Sequence, residues 1–173
     1  MRLRVLLSTA ALVGAAVLVP TGAQAVSADV TCTGTETVSY QPGLLLTSQK
    51  VRVAVTGILA PCDSSDPAIT AGTYLPAFDA TLSCATLLSG LPGIRVFQWS
   101  DGKSSTFTYN RTLNSVGGQL TVTFTGVITA GEFAGDTAVE QVVFVTPNSL
   151  QCLAPPGLTS LGPGLAVLSI AHP

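Results

Sequence analysis

Charge is what this sequence has least of. Only 9% of its 173 residues are Asp, Glu, Lys or Arg, against about a quarter in an ordinary soluble domain. The solvent-facing positions are left mostly to Thr, Ser, Gly and Ala, a polar but hardly charged surface that suits a protein exposed to proteases or set against uncharged polymer. Histidine is nearly absent too. The single imidazole, His172, is the penultimate residue, where chain ends usually fray, so a serine nucleophile would lack its base. No G-x-S-x-G elbow and no glycine-rich phosphate loop occur. With one histidine and no C-x-x-C spacing, a zinc site is not expected, and no cofactor is implied. There is no basic cluster either, which argues against nucleic acid or an anionic membrane as partner.

One apolar run stands out. Met1-Arg2-Leu3-Arg4 is a short positive segment, Val5 to Val19 is apolar, Pro20 ends the run, and Ala23-Gln24-Ala25 is the small-residue pattern that signal peptidase reads. The run is shorter than the roughly 20 residues a membrane span needs, so residues 1–25 are expected to be a secretory signal peptide. Residues 26–173 are then expected to form a single secreted domain, released and extracellular. Within it five basic residues face nine acidic ones, a net charge of −4.

Four cysteines follow, Cys32, Cys62, Cys84 and Cys152. An even number behind a signal peptide implies two disulfides, for which three pairings exist. The preferred pairing is Cys32 with Cys62 and Cys84 with Cys152, because a hairpin about Pro42 to Ser48 brings the first two together at its open end.

Period-two alternation dominates the rest. Runs at Cys32 to Tyr40, Lys50 to Ala60 and Tyr74 to Cys84 read as strands. A hairpin follows around Ser100-Asp101-Gly102-Lys103, where an Asp-Gly pair suits a two-residue turn. That turn pairs Ile94 with Tyr109 and Val96 with Phe107 on a core face, leaving Arg95, Phe97 and Trp99 on the opposite one. Gln119 to Thr129 alternates cleanly, Asp136 to Thr146 is more continuously apolar, and Leu165 to Ile170 closes the series. No amphipathic helix appears. About eight strands predict an all-β domain, a two-sheet antiparallel β-sandwich of immunoglobulin-like outline, with a β-barrel as the alternative.

Candidate sites are few. Exposed, Phe97 and Trp99, with Arg95 beside them, would make a flat platform for a sugar ring or a protein partner; buried, Trp99 would cover the end of the fold. Asp136 and Glu140 could share a strand face as a hydrolytic carboxylate pair, with Glu132 nearby. Asp63-Ser64-Ser65-Asp66 offers oxygen ligands for calcium but consists of ordinary turn residues. Asn110-Arg111-Thr112 matches a glycosylation sequon.

Three stretches carry a resemblance: Trp99-Ser100-Asp101-Gly102-Lys103-Ser104-Ser105-Thr106, the segment Thr125 to Asp136, and Cys152-Leu153-Ala154-Pro155-Pro156-Gly157. Together they resemble a family of small secreted actinobacterial proteins with two disulfides and no assigned function. The likeness implies fold and address and brings no site residues; it also makes the sequon irrelevant. Tyr40 to Thr47 is similar to the opening of the secreted subtilisin-inhibitor family, whose reactive C-P-M-V loop has no counterpart here. The expectation is therefore a secreted, non-catalytic binding or surface-associated module, with extracellular polysaccharide or protein as partner. The alternatives are a secreted protease inhibitor presenting Pro61 to Pro67 and a carboxylate-dependent hydrolase using Asp136 and Glu140.

Overall fold

The computed structural model describes residues 28–173, and the expected signal peptide lies outside the described residues. Nine strands follow in order: β1 (Ala28–Leu44), β2 (Gln49–Ser64), β3 (Gly72–Tyr74), β4 (Ala77–Leu82), β5 (Pro92–Trp99), β6 (Ser104–Val116), β7 (Gln119–Gly131), β8 (Thr137–Val145) and β9 (Leu158–Ala171). Short 3-10 turns at Thr86–Leu88 and Ser149–Leu153 interrupt the β4–β5 and β8–β9 connections. Among the described residues no helix is long and apolar enough to cross a membrane.

The sheet closes on itself. Its order is β1-β9-β8-β7-β6-β5-β3-β2, and β2 pairs back onto β1, so eight antiparallel strands form a barrel with β4 added along β2. This corrects the expected two-sheet sandwich with an immunoglobulin-like outline and agrees with the barrel alternative. The physical reason lies in β1, which pairs with β2 on one edge and β9 on the other. Register shifts between Cys32 and Gly34 and between Glu36 and Val38 add the twist and bend that closure demands. Closure also removes most of the unpaired edge that an open sheet exposes.

The single run expected at Tyr74 to Cys84 is divided at Leu75-Pro76. Its first part, β3, enters the barrel between β2 and β5, whereas β4 pairs only with the first half of β2. Because β3 meets β5 only at Gly72–Trp99 and Thr73–Gln98, the wall between β4 and the start of β5 stays open.

The β5–β6 turn also differs from the expected one. Trp99 N donates to Lys103 O at 2.9 Å and Gly102 N to Trp99 O at 3.0 Å, with Gly102 at φ 86°, so three residues turn the chain rather than two. Glycine takes that left-handed conformation without strain. One extra residue moves the register by one, and Arg95 now opposes Phe107. A one-residue slip exchanges the faces. Arg95, Phe97 and Trp99 therefore point inward with Phe107, while Ile94 and Val96, expected in the core, are 64% and 41% exposed.

Aromatic packing seals one end of the barrel. Phe97 stacks on Phe107 at 5.9 Å and lies 5.5 Å from Trp99, whose ring meets Phe133 edge-on at 6.1 Å. The indole N–H donates to Ser105 Oγ at 2.8 Å. Outside this end, Lys103 Nζ stands 3.2–3.3 Å from Asp66, Asp101 and Glu132, linking three loops. Disulfides join Cys32 to Cys62, which are register partners, and Cys84 to Cys152, which ties the β4–β5 connection to the β8–β9 connection.

Candidate functional site

Strand alternation places a charged side chain at an inward position on three different strands. Glu36 on β1, Arg95 on β5 and Glu140 on β8 are buried in the middle of the barrel. Arg95 Nη2 lies 2.9 Å from Glu36 Oε2, and Arg95 Nη1 is ion-paired with Glu140. The guanidinium is stacked over Tyr74, 3.9 Å from the ring centroid, and over Phe124 at 4.4 Å. Buried charges persist when paired and hydrogen-bonded, which this arrangement achieves on both sides of one cation.

Tyr74 completes the cluster. It reaches across from β3 because its register partner is Gly57. A Cβ at that position would sit 1.9 Å from Tyr74 Cζ, so only glycine leaves room for the ring. Tyr74 Oη lies 2.8 Å from Glu36 Oε2 and 2.7 Å from Glu140 Oε1. Its single hydroxyl proton is directed at these two acceptors. Burial pushes Glu140 above the ordinary carboxylate value, against the opposing pull of Arg95. Burial, followed by the Glu140 charge, also drives the Tyr74 phenol strongly upward. One cation thus stands between two buried carboxyl groups, with the Tyr74 hydroxyl reaching both.

Above this cluster the lumen is not filled. A cavity of about 360 Å³ opens there, with Glu36 and Arg95 in its floor and an apolar wall that includes Val38, Val55, Val122 and Leu161. Leu82 and Leu91, from the two ends of the β4–β5 connection, cover it on the side left open between β4 and β5. Four further polar residues line it: Tyr40, Thr86, Tyr109 and Arg111. Arg111 Nη2 donates to Ser89 O at 2.7 Å. The Nε atoms of Arg95 and Arg111 are buried with no hydrogen-bond partner. Burial raises the pKa of both phenols, opposed at Tyr40 by the Arg111 charge and at Tyr109 by the charges of Arg95 and then Arg111. Ligand pockets generally measure roughly 300–1,000 Å³, apolar with a few convergent polar groups, and this one is at the small end.

The residues singled out from the sequence separate. Arg95 belongs to the cavity floor. Phe97 and Trp99 are 0% and 4% exposed and form the sealed end, so they offer no platform to a polysaccharide or protein. Glu140 reaches the lumen, but Asp136 does not join it: its Oδ1 stands 3.0 Å from His172 Nδ1 at the barrel rim. The carboxylate that accompanies Glu140 is Glu36, which the sequence reading passed over. Its signal was a charge in phase with Cys32, Val38 and Tyr40 on an otherwise apolar strand face. Asp66 accepts from Ala68 N at 3.0 Å and meets Lys103, contacts that hold its carboxyl below the usual range, the Ala68 bond most. Among the described residues no cluster of three His, Cys, Asp or Glu side chains could hold a metal ion. The Pro61 to Pro67 segment is half strand, since β2 runs on to Ser64 and pairs there with Val30.

Comparison with family models, characterised proteins and solved structures finds no match to the chain.

Proposed function

We propose that the protein is exported and that its barrel is a container: it binds one small, mainly apolar molecule in the lumen. The observation that carries this reading is the open cavity of about 360 Å³ whose apolar wall ends on buried arginine donors without partners. Apolar surface removed from water supplies the affinity, and the few polar groups orient the molecule. Two disulfides support an extracellular or otherwise oxidising setting, in keeping with the resemblance to small secreted actinobacterial proteins. The interaction surface is internal, which distinguishes this reading from a surface-associated module.

Titration with the neutral, environment-sensitive dye N-phenylnaphthylamine tests it. Saturable one-to-one binding with a blue-shifted emission, displaced by decanol, is expected. Absence of saturable binding would sink the lumen reading.

A second reading, carboxylate-dependent hydrolysis, is favoured by the Tyr74 hydroxyl that bridges Glu140 and Glu36 beneath the cavity. Glu36 would be the group nearest a substrate, with Glu140 behind it as proton source. Turnover of any ester or glycoside that is lost in Glu36→Gln but retained when Asp136 is replaced by Asn would support it.

A further inference from the structure

We propose that the lumenal ligand is an apolar monocarboxylate whose head group binds Arg111, beside Tyr40 and Tyr109. The inference rests on the lumen reading and specifies its ligand. Two guanidinium groups line the cavity, and they differ in what already neutralises them. Arg95 gives one Nη to Glu36 and the other to Glu140, so it has no charge to offer a ligand. Arg111 makes no ion pair among the described residues; its one hydrogen bond goes to the Ser89 carbonyl, and its Nε–H is buried without a partner. Arg111 is only partly buried and its exposed part is hydrated while the cavity is empty; an anion placed against it would gain a charge-assisted contact beside the apolar wall. The phenols of Tyr40 and Tyr109 line the same cavity and both feel the Arg111 charge, so two hydroxyl donors stand within its field.

The same bookkeeping limits the ligand's charge. Only one guanidinium is free, and Glu36 faces the cavity from the floor, so a dianion such as a phosphate monoester would meet a carboxylate with its second charge. An amine would gain nothing, since Glu36 is already engaged by Arg95 and Tyr74. A carboxylate fits the planar fork of arginine. The tail then lies against Val38, Val55, Val122 and Leu161, away from water.

Calorimetric titration of the disulfide-intact protein with decanoate, decanol and decyltrimethylammonium distinguishes the possibilities. Decanoate is expected to bind about tenfold more tightly than decanol, the gain of one charge-assisted contact, and the ammonium not measurably. Arg111→Met should erase the preference for decanoate over decanol, and Arg111→Lys should keep part of it. Equal affinity for decanoate and decanol in the wild-type protein overturns this inference and leaves the lumen reading standing. A preference that survives in Arg111→Met also overturns it. If none of the three ligands nor the dye binds, both readings fall. Should Arg111→Met fail to fold, the wild-type series alone decides.

Discussion

The Tyr74 hydroxyl lies 2.7 Å from Glu140 Oε1, and the same oxygen lies 2.8 Å from Glu36, so one phenol bridges two buried carboxyl groups. This has a consequence for stability against pH. Glu140 retains its proton in the folded barrel at pH values where the unfolded chain, near its ordinary value of 4.5, has released it. Its favourable contribution is complete below that ordinary value and is lost as pH rises through the raised folded value. Glu140→Gln should therefore be tolerated: a carboxamide can donate to Tyr74 and accept from Arg95 but cannot ionise. Melting temperature followed from about pH 5 to about pH 8 should fall less steeply for the variant than for the wild-type protein. Equal slopes would mean that Glu140 is not the proton's owner.

How much of this was legible in the chain depends on which interactions specify each feature. Alternation is local, so β1, β2, β5, β6 and β7 could be read from residue parity alone. Closure is not local: a barrel and a sandwich use the same strand count, and what separates them is that β1 pairs with both β2 and β9. The turn at Gly102 shows the same limit on a smaller scale, since Asp101-Gly102 serves two-residue and three-residue turns equally and the choice decides whether Ile94 or Arg95 enters the core. Glu36, Arg95 and Glu140 come from strands far apart in sequence. Each was visible as a charge among apolar neighbours; their meeting was not.

Arg95 is the cation between two buried carboxyl groups, and its removal should be among the most destabilising single changes. Arg95→Met leaves Glu36 without a counter-charge at 4% exposure, and breaking a buried pair in this way typically loses about 3–5 kcal/mol. Urea denaturation should report a loss of that order. Adding Glu36→Leu and Glu140→Leu should recover part of it, because an apolar core carries no unpaired charge. A loss below about 1 kcal/mol for Arg95→Met would show the cluster to be solvated.

Gly57→Ala tests the position of Tyr74. The added methyl would meet the ring at 1.9 Å, and the ring has no free path, because it is held between Arg95 and Phe97. Overpacking of this kind costs about 1–3 kcal/mol. Displacing the phenol should also disturb its hydrogen bonds to Glu36 and Glu140, so the variant's stability should change its dependence on pH as well as its magnitude. Pairing the change with Tyr74→Phe separates the two effects: the smaller acceptor-free ring should leave the steric loss and remove the pH effect.

The Cys84–Cys152 bond links the β4–β5 connection, whose ends wall the cavity, to the β8–β9 connection. It spans 68 residues, and in the chain-entropy description closing such a loop contributes about 4 kcal/mol. Neither cysteine belongs to the barrel wall: Cys84 follows β4 and Cys152 lies in the Ser149–Leu153 turn. Replacing both with serine should therefore lower the melting temperature without dismantling the strands, and the far-ultraviolet dichroism should remain that of a β-protein. The larger effect should fall on binding. Leu82 and Leu91 flank Cys84 in sequence and wall the cavity, so releasing the tether lets that wall move and exposes a bound apolar molecule to water. Dye affinity should drop by more than about tenfold, the equivalent of roughly 1.4 kcal/mol, with the Cys32–Cys62 bond intact. Unchanged affinity in the double variant would show that the β4–β5 connection contributes nothing to the site, and would move the binding surface wholly into the barrel strands.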